Sequence, residues 1–125
     1  MAKKAARISE AEMQLLQLLW EDSPLGAVEI AERVQAERGW SITTVKTLLA
    51  RLVAKGALSA EPHGRRYLYR PAVERDPVVA DEALGLIDRL FGGRVSPLVA
   101  RLAEQKKLSD DDIAELEALV RSLKK

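Results

Sequence analysis

One run of side chains constrains this chain more than any other. Val45, Leu48, Leu49, Leu52 and Val53 recur at i, i+3, i+4, i+7 and i+8, the stripe of an amphipathic helix with one buried side. Ser41 is placed to start that helix and Gly56 to stop it near Lys55. At 100° per residue the opposite face is centred on Thr43, Thr47, Ala50 and Ala54, all small. Lys46 flanks it on one side, and Arg51 and Lys55 on the other, with Thr44 beside them. Such a helix needs a core on one side and presents a smooth, cation-edged surface on the other.

The neighbouring segments supply the core. Ser9 and Glu12 form a capping box with Ile8 as a staple, opening a helix to about Trp20. Two apolar stripes, one through Leu15 and Leu19 and one through Met13, Leu16 and Trp20, make it a central core helix. Ser23-Pro24-Leu25-Gly26 breaks it. A second helix runs from about Ala27 to Arg38, with Ile30, Ala31 and Val34 inward and Gly39 as its stop. After the striped helix, Leu58 to Glu61 and Tyr67 to Arg70 read as short strands. Pro62-His63-Gly64-Arg65-Arg66 is the turn between them, and Pro71 ends the second. Three helices and a hairpin are the order of a winged helix-turn-helix.

Residues 72–76 read as a boundary, giving domains 1–75 and 76–125. Asp76-Pro77 is expected to start a helix to about Phe91, before Gly92-Gly93. Ser96-Pro97 repeats the device for a short helix to about Gln105. Ser109 caps a last helix, with Asp110, Asp111 and Asp112 at its positive end and Lys124 and Lys125 at its negative end. The expected fold is therefore mainly α, a winged helix-turn-helix followed by a three-helix module. Ile113, Leu116, Val120 and Leu123 form a seam at 3-4-3 spacing, with Leu119 beside it. Ile87, Leu90 and Phe91 lie on one broad apolar face of the fourth helix. Three helices in about 50 residues are marginal alone. Packing on the winged helix is one way to cover these faces. Self-association is favoured, because a dimer also supplies two-fold symmetry.

Composition removes other classes. The chain has 125 residues, 47% hydrophobic and 31% charged, which suits a soluble globular protein. Its longest apolar runs, such as Leu98-Val99-Ala100, are three residues, too short for a membrane span or a signal peptide. There is no Cys, and His63 is the single His, so disulfides, thiolate or multi-His metal sites and a Cys nucleophile are excluded. No nucleophile, base and orienting group occur together, so an enzyme has least support, and no cofactor is implied. An intracellular location is expected.

The net charge of +1 is unevenly spread: residues 1–75 carry +3 and residues 76–125 carry −2. From Arg38 to Arg70 the net charge is +6. A solvated basic face is one reading of that cluster. The adjoining helix, the short Gly-containing turn and the basic hairpin favour DNA, with small side chains admitting the helix to the major groove. Thr47 and Lys46 are expected to read bases, and Arg65 and Arg66 to grip the backbone. Tyr67 and Tyr69 are expected to pack on the domain, as are Trp20 and Trp40. Met1 to Arg7 reads as a loose basic arm. A winged helix used for protein contact without DNA is the alternative.

Taken together, "ISEAEMQLLQLLW", "GWSITTVKTLLARLVAKGAL", "RRYLYRPAV" and "LVARLAEQKKLSDDDIAELEALV" resemble the penicillinase-repressor family of winged-helix regulators, over about residues 7–124. The resemblance implies a homodimeric transcriptional repressor on a palindromic DNA operator. It places recognition-helix contacts on Thr43, Thr44, Lys46, Thr47 and Arg51, wing contacts on Arg65 and Arg66, and the dimer on the C-terminal helices. Copper-responsive members carry C-terminal Cys pairs, and this chain has none. β-Lactam-responsive members are cut at an Asn-Phe step that here reads Arg101-Leu102. Release by the same protease is therefore not carried over, which leaves another regulatory protease or a sensor protein open as a partner.

Overall fold

A computed structural model describes residues 7–124. The helices of the first part are α1 (Glu10–Glu21), α2 (Ala27–Arg38) and α3 (Ile42–Ala54); its strands are β1 (Leu25–Gly26), β2 (Leu58–His63) and β3 (Arg66–Pro71). The chain continues through α4 (Arg75–Phe91), α5 (Val95–Glu104) and α6 (Asp110–Leu123). It divides into two compact units, residues 1–82 and 83–125. The division falls inside α4, later than the change at Asp76 that the sequence suggests. Val78 explains the shift, because it packs against the core of the first unit. Among the described residues, no helix is long and apolar enough to cross a membrane.

The first unit is organised by the expected stripes. Leu15, Leu16 and Leu19 of α1, Ile30 and Val34 of α2, and Val45, Leu48, Leu49 and Leu52 of α3 are buried together. Ala57 and Leu58, at the start of β2, are buried in the same core. Ser9 caps α1, its hydroxyl accepting the Glu12 N–H at 3.1 Å while the Glu12 carboxylate accepts the Ser9 N–H at 2.9 Å. Gly39 ends α2 at φ +68°, a left-handed conformation that costs glycine nothing, so the chain turns into α3 within three residues. Trp20 packs on the core and its indole N–H donates to the Val73 carbonyl at 3.0 Å, tying the exit of the wing to α1.

The sheet is antiparallel, in the order β1-β3-β2. The wing is longer than the sequence suggests. Pro62, His63 and Arg66 are paired strand residues, which leaves Gly64-Arg65 as a two-residue turn. Pro62 fits because β2 is an outer strand, where a missing N–H need not break a ladder. The segment read as a helix breaker holds β1, which pairs Leu25 with Tyr69 and Gly26 with Leu68. Two residues give no periodicity, so β1 is invisible to pattern.

The last three helices form as expected, with two corrections. α4 starts at Arg75 and α5 at Val95, so Asp76 and Ser96 lie inside the first turn and do not cap it. Pro77 and Pro97 are then the third helical residues. That position tolerates proline for the same reason as the first, since its N–H has no partner within the helix. Ser109 caps α6 with a full capping box through Asp112.

Candidate nucleic-acid interface

α3 presents the face that its sequence implies. Thr43, Thr44, Lys46, Thr47, Ala50 and Arg51 are all exposed, while the opposite stripe is buried. The Ser41 hydroxyl accepts the Thr44 N–H at 3.2 Å, which fixes where the helix begins. The Thr47 hydroxyl donates to the Thr43 carbonyl at 3.0 Å. Its proton is thereby occupied, and Thr47 offers outward a methyl group and an acceptor oxygen. Those groups suit a thymine methyl or an amino group on a base edge.

The flanking cations fall into two sets. Lys46, Arg51 and Arg65 have no ion-pair partner among the described residues. Arg66, Arg70 and Lys55 are paired. Arg66 donates to Glu29 at 2.9 Å, and the same Glu29 oxygen accepts the Gly26 N–H at 2.8 Å, so the wing is fastened to the start of α2. Gly26 leaves room for this: a Cβ there would meet the Arg66 guanidinium at 3.0 Å and the Glu29 carboxylate at 3.1 Å. Arg70 pairs with Glu61 across the wing.

Lys55 is a correction, because it leaves the face its spacing gives it. Its ammonium meets the carboxylate of Glu12, which is 1% exposed, and also donates to the Arg7 carbonyl at 2.6 Å. The rest of the expected basic arm lies outside the described residues. Burial works against charge on Glu12, but the Lys55 ammonium and the Ser9 N–H and hydroxyl outweigh it and hold the carboxyl below its ordinary value. Sequence spacing could not reveal this pair, because its members are 43 residues apart. Glu29 is also held low, first by the Gly26 N–H and then, against a smaller cost of burial, by Arg66.

The tyrosines separate. Tyr69 packs against the core as expected. Tyr67 is 55% exposed, because β1 covers β3 only as far as Leu68. It stands at a concavity of about 210 Å³ whose walls include Lys46 of α3 and Arg65 and Arg66 of the wing. Trp40 packs against the core, as Trp20 does.

The second unit offers a different surface. Of the residues expected to form a dimer, Leu90, Ile113, Val120 and Leu123 are exposed, Leu123 at 83%. Ile87, Phe91 and Leu116 are half-buried. Ile113, Leu116 and Val120 of α6 line an open apolar groove of about 440 Å³ with Val99 and Leu108.

Comparison with known proteins places this arrangement. Residues 8–122 match the penicillinase repressor family. The chain is 29% identical to the penicillinase repressor of Bacillus licheniformis, over 91% of this chain and 89% of that one. It is 30% identical to the methicillin resistance regulatory protein MecI of Mammaliicoccus sciuri, over 93% and 94%. Among solved structures, the DNA-binding domain of the repressor BlaI superposes with a TM-score of 0.54 at 32% identity, covering 59% of this chain and 90% of that one. The B. licheniformis BlaI monomeric form in complex with the blaP half-operator gives 0.51 at 32% identity, with the same coverage.

Proposed function

The chain belongs to the penicillinase repressor family, a family of transcriptional repressors and not of enzymes, and from that premise we propose that it is a dimeric repressor bound to a palindromic DNA operator. In this reading α3 enters the major groove, and Thr43, Thr44, Thr47 and Arg51 face base edges and nearby phosphates. The wing lies along the backbone with Arg65 at its tip. The single observation that carries the reading is the exposed small-residue face of α3, edged by Lys46, Arg51 and Arg65, three cations without ion-pair partners among the described residues. The complex of BlaI with a half-operator supports it by analogy.

The dimer is supported by the apolar faces of α4 and α6, whose Leu90, Ile113, Val120 and Leu123 stand in water in the single chain. A second copy is the occupant that also doubles the DNA contacts, with half-sites about one helical turn apart or a multiple of it. The protein then acts in the cytoplasm, and a protease or sensor that separates the two units would release the operator.

Titration of a labelled duplex from the upstream region of its own gene, across a salt series, tests the function. A dimer that neutralises roughly six to ten phosphates loses about a thousandfold or more in affinity between low and moderate salt. Salt-independent binding, or no binding to any duplex, overturns the reading. Thr47→Ala is expected to cost about 1–3 kcal/mol and to relax preference at one operator position.

A further inference from the structure

The wing and α3 enclose a concavity whose chemistry is one-sided. Lys46 enters it from α3, Arg65 and Tyr67 from the wing, and Ala27 and Val28 from the start of α2. Its volume of about 210 Å³ admits a group larger than several waters. Arg66 also borders it, with one N–H of its guanidinium donated to Glu29. Two cations without ion-pair partners among the described residues remain, Lys46 and Arg65. Tyr67 is the exposed phenol of the concavity; Tyr69 also lines it but is half-buried against the core. Tyr67 is exposed because β1 ends one residue short of covering it, and none of the side-chain hydrogen bonds among the described residues involves its hydroxyl. An ammonium, a guanidinium and a phenol can all donate at neutral pH, and the two cations cannot accept. A guanine edge also presents acceptors alone, N7 and O6, but carries no net charge, whereas a phosphate presents acceptors with a full negative charge, the match for two cations in one concavity.

We propose that this concavity seats one backbone phosphate of duplex DNA, held by Lys46, Arg65 and the Tyr67 hydroxyl, so that Lys46 grips the backbone and does not read a base. The proposal rests on the DNA-binding reading above and refines it. It moves Lys46 from the reading face of α3 to the wing side. Base reading is then left to Thr43, Thr47 and the opposite flank with Arg51. Tyr67 becomes a positioning donor that fixes the depth of the wing on the backbone. Arg66 holds the wall in place through Glu29 and Gly26, and the Ala27 and Val28 side chains meet the adjoining sugar.

The test uses the full chain with two probes, a mixed-sequence duplex and the duplex it prefers after selection. Lys46→Ala and Arg65→Ala are each expected to weaken both duplexes by the same factor, about tenfold, and to lower the salt slope by about one per protomer. Tyr67→Phe keeps the ring and removes the donor. It is expected to weaken both duplexes alike, by about tenfold, with the salt slope unchanged. Neutral methylphosphonate is then placed at each linkage of the preferred duplex in turn. At one linkage per half-site the wild type is expected to lose affinity, and there Tyr67→Phe and Lys46→Ala cost nothing further. The proposal is overturned if Lys46→Ala alters preference at one base pair while mixed-sequence affinity and salt slope stay the same. It is equally overturned if no linkage absorbs the cost of the variants. In both cases the wild type still binds in a salt-dependent way and the broader reading stands. A wild type that binds neither duplex removes both.

Discussion

Residues 1–82 and 83–125 have equally good local signals and opposite burial. α1 and α6 both start with a serine in a full capping box. α1 buries Leu15, Leu16 and Leu19 completely, whereas no residue of α4, α5 or α6 is buried. Each fully buried apolar side chain contributes about 1.5–3 kcal/mol, so the first unit can stand on its own core. Helices of 10 to 17 residues are marginal without an apolar partner. The difference teaches that capping and amphipathic spacing specify helices, and that a core is a separate matter. The second unit has helices whose apolar faces remain to be covered.

The largest effect should come from separating the two units. Residues 1–82 alone should unfold cooperatively at any concentration, while residues 83–125 alone should lose helicity on dilution, read by circular dichroism. Concentration-independent helicity of the second fragment would erase the contrast. Single substitutions sharpen it. Leu49→Ala, in the first core, should cost about 2–5 kcal/mol in urea unfolding at any protein concentration. Leu123→Ala should leave the stability of the single chain nearly unchanged and weaken self-association, measured by sedimentation.

The part-buried Lys55–Glu12 pair of the first unit gives the next effect. Glu12→Gln should cost about 1.5–3 kcal/mol, since it removes the carboxylate charge that the Lys55 ammonium meets between α1 and α3. The Glu12 carboxyl is held below its ordinary value of 4.5 in the folded chain. Its contribution is therefore complete above that value and is lost as pH falls through the lower, folded one. Urea unfolding from neutral pH downward should show this loss, and Glu12→Gln should flatten that part of the profile. The smallest effect belongs to the exposed Arg66–Glu29 pair. Arg66→Ala should change stability by about 0–1 kcal/mol and weaken preferred and mixed-sequence duplexes alike.

Much of the fold is legible in the chain because its signals are local. The stripe from Val45 to Val53, the Gly39 stop and the Ser9 and Ser109 boxes each lie within a few residues. The features that escape are those made by distant partners. β1 exists only because Leu25 and Gly26 meet Tyr69 and Leu68. Lys55 has the spacing of a surface cation and becomes the half-buried partner of the buried Glu12. Tyr67 alternates with Tyr69 as a packed residue would, yet the short reach of β1 leaves it in water. The exposure of Thr43, Thr47, Arg51 and Arg65 was legible, since it needs only helix and hairpin geometry. Which cations are free and which are paired is a tertiary fact.

The central claim is that the first unit carries DNA contact and the second couples two copies of it. Titration of one operator duplex by the full chain and by residues 1–82, at the same salt, tests this most directly. Linking two half-site contacts through a dimer raises their combined affinity by about a hundredfold to ten-thousandfold without new contacts. The full chain should therefore bind at least a hundredfold more tightly than the fragment, as two copies per duplex. Equal affinities, or one copy of the full chain per operator, would contradict the account.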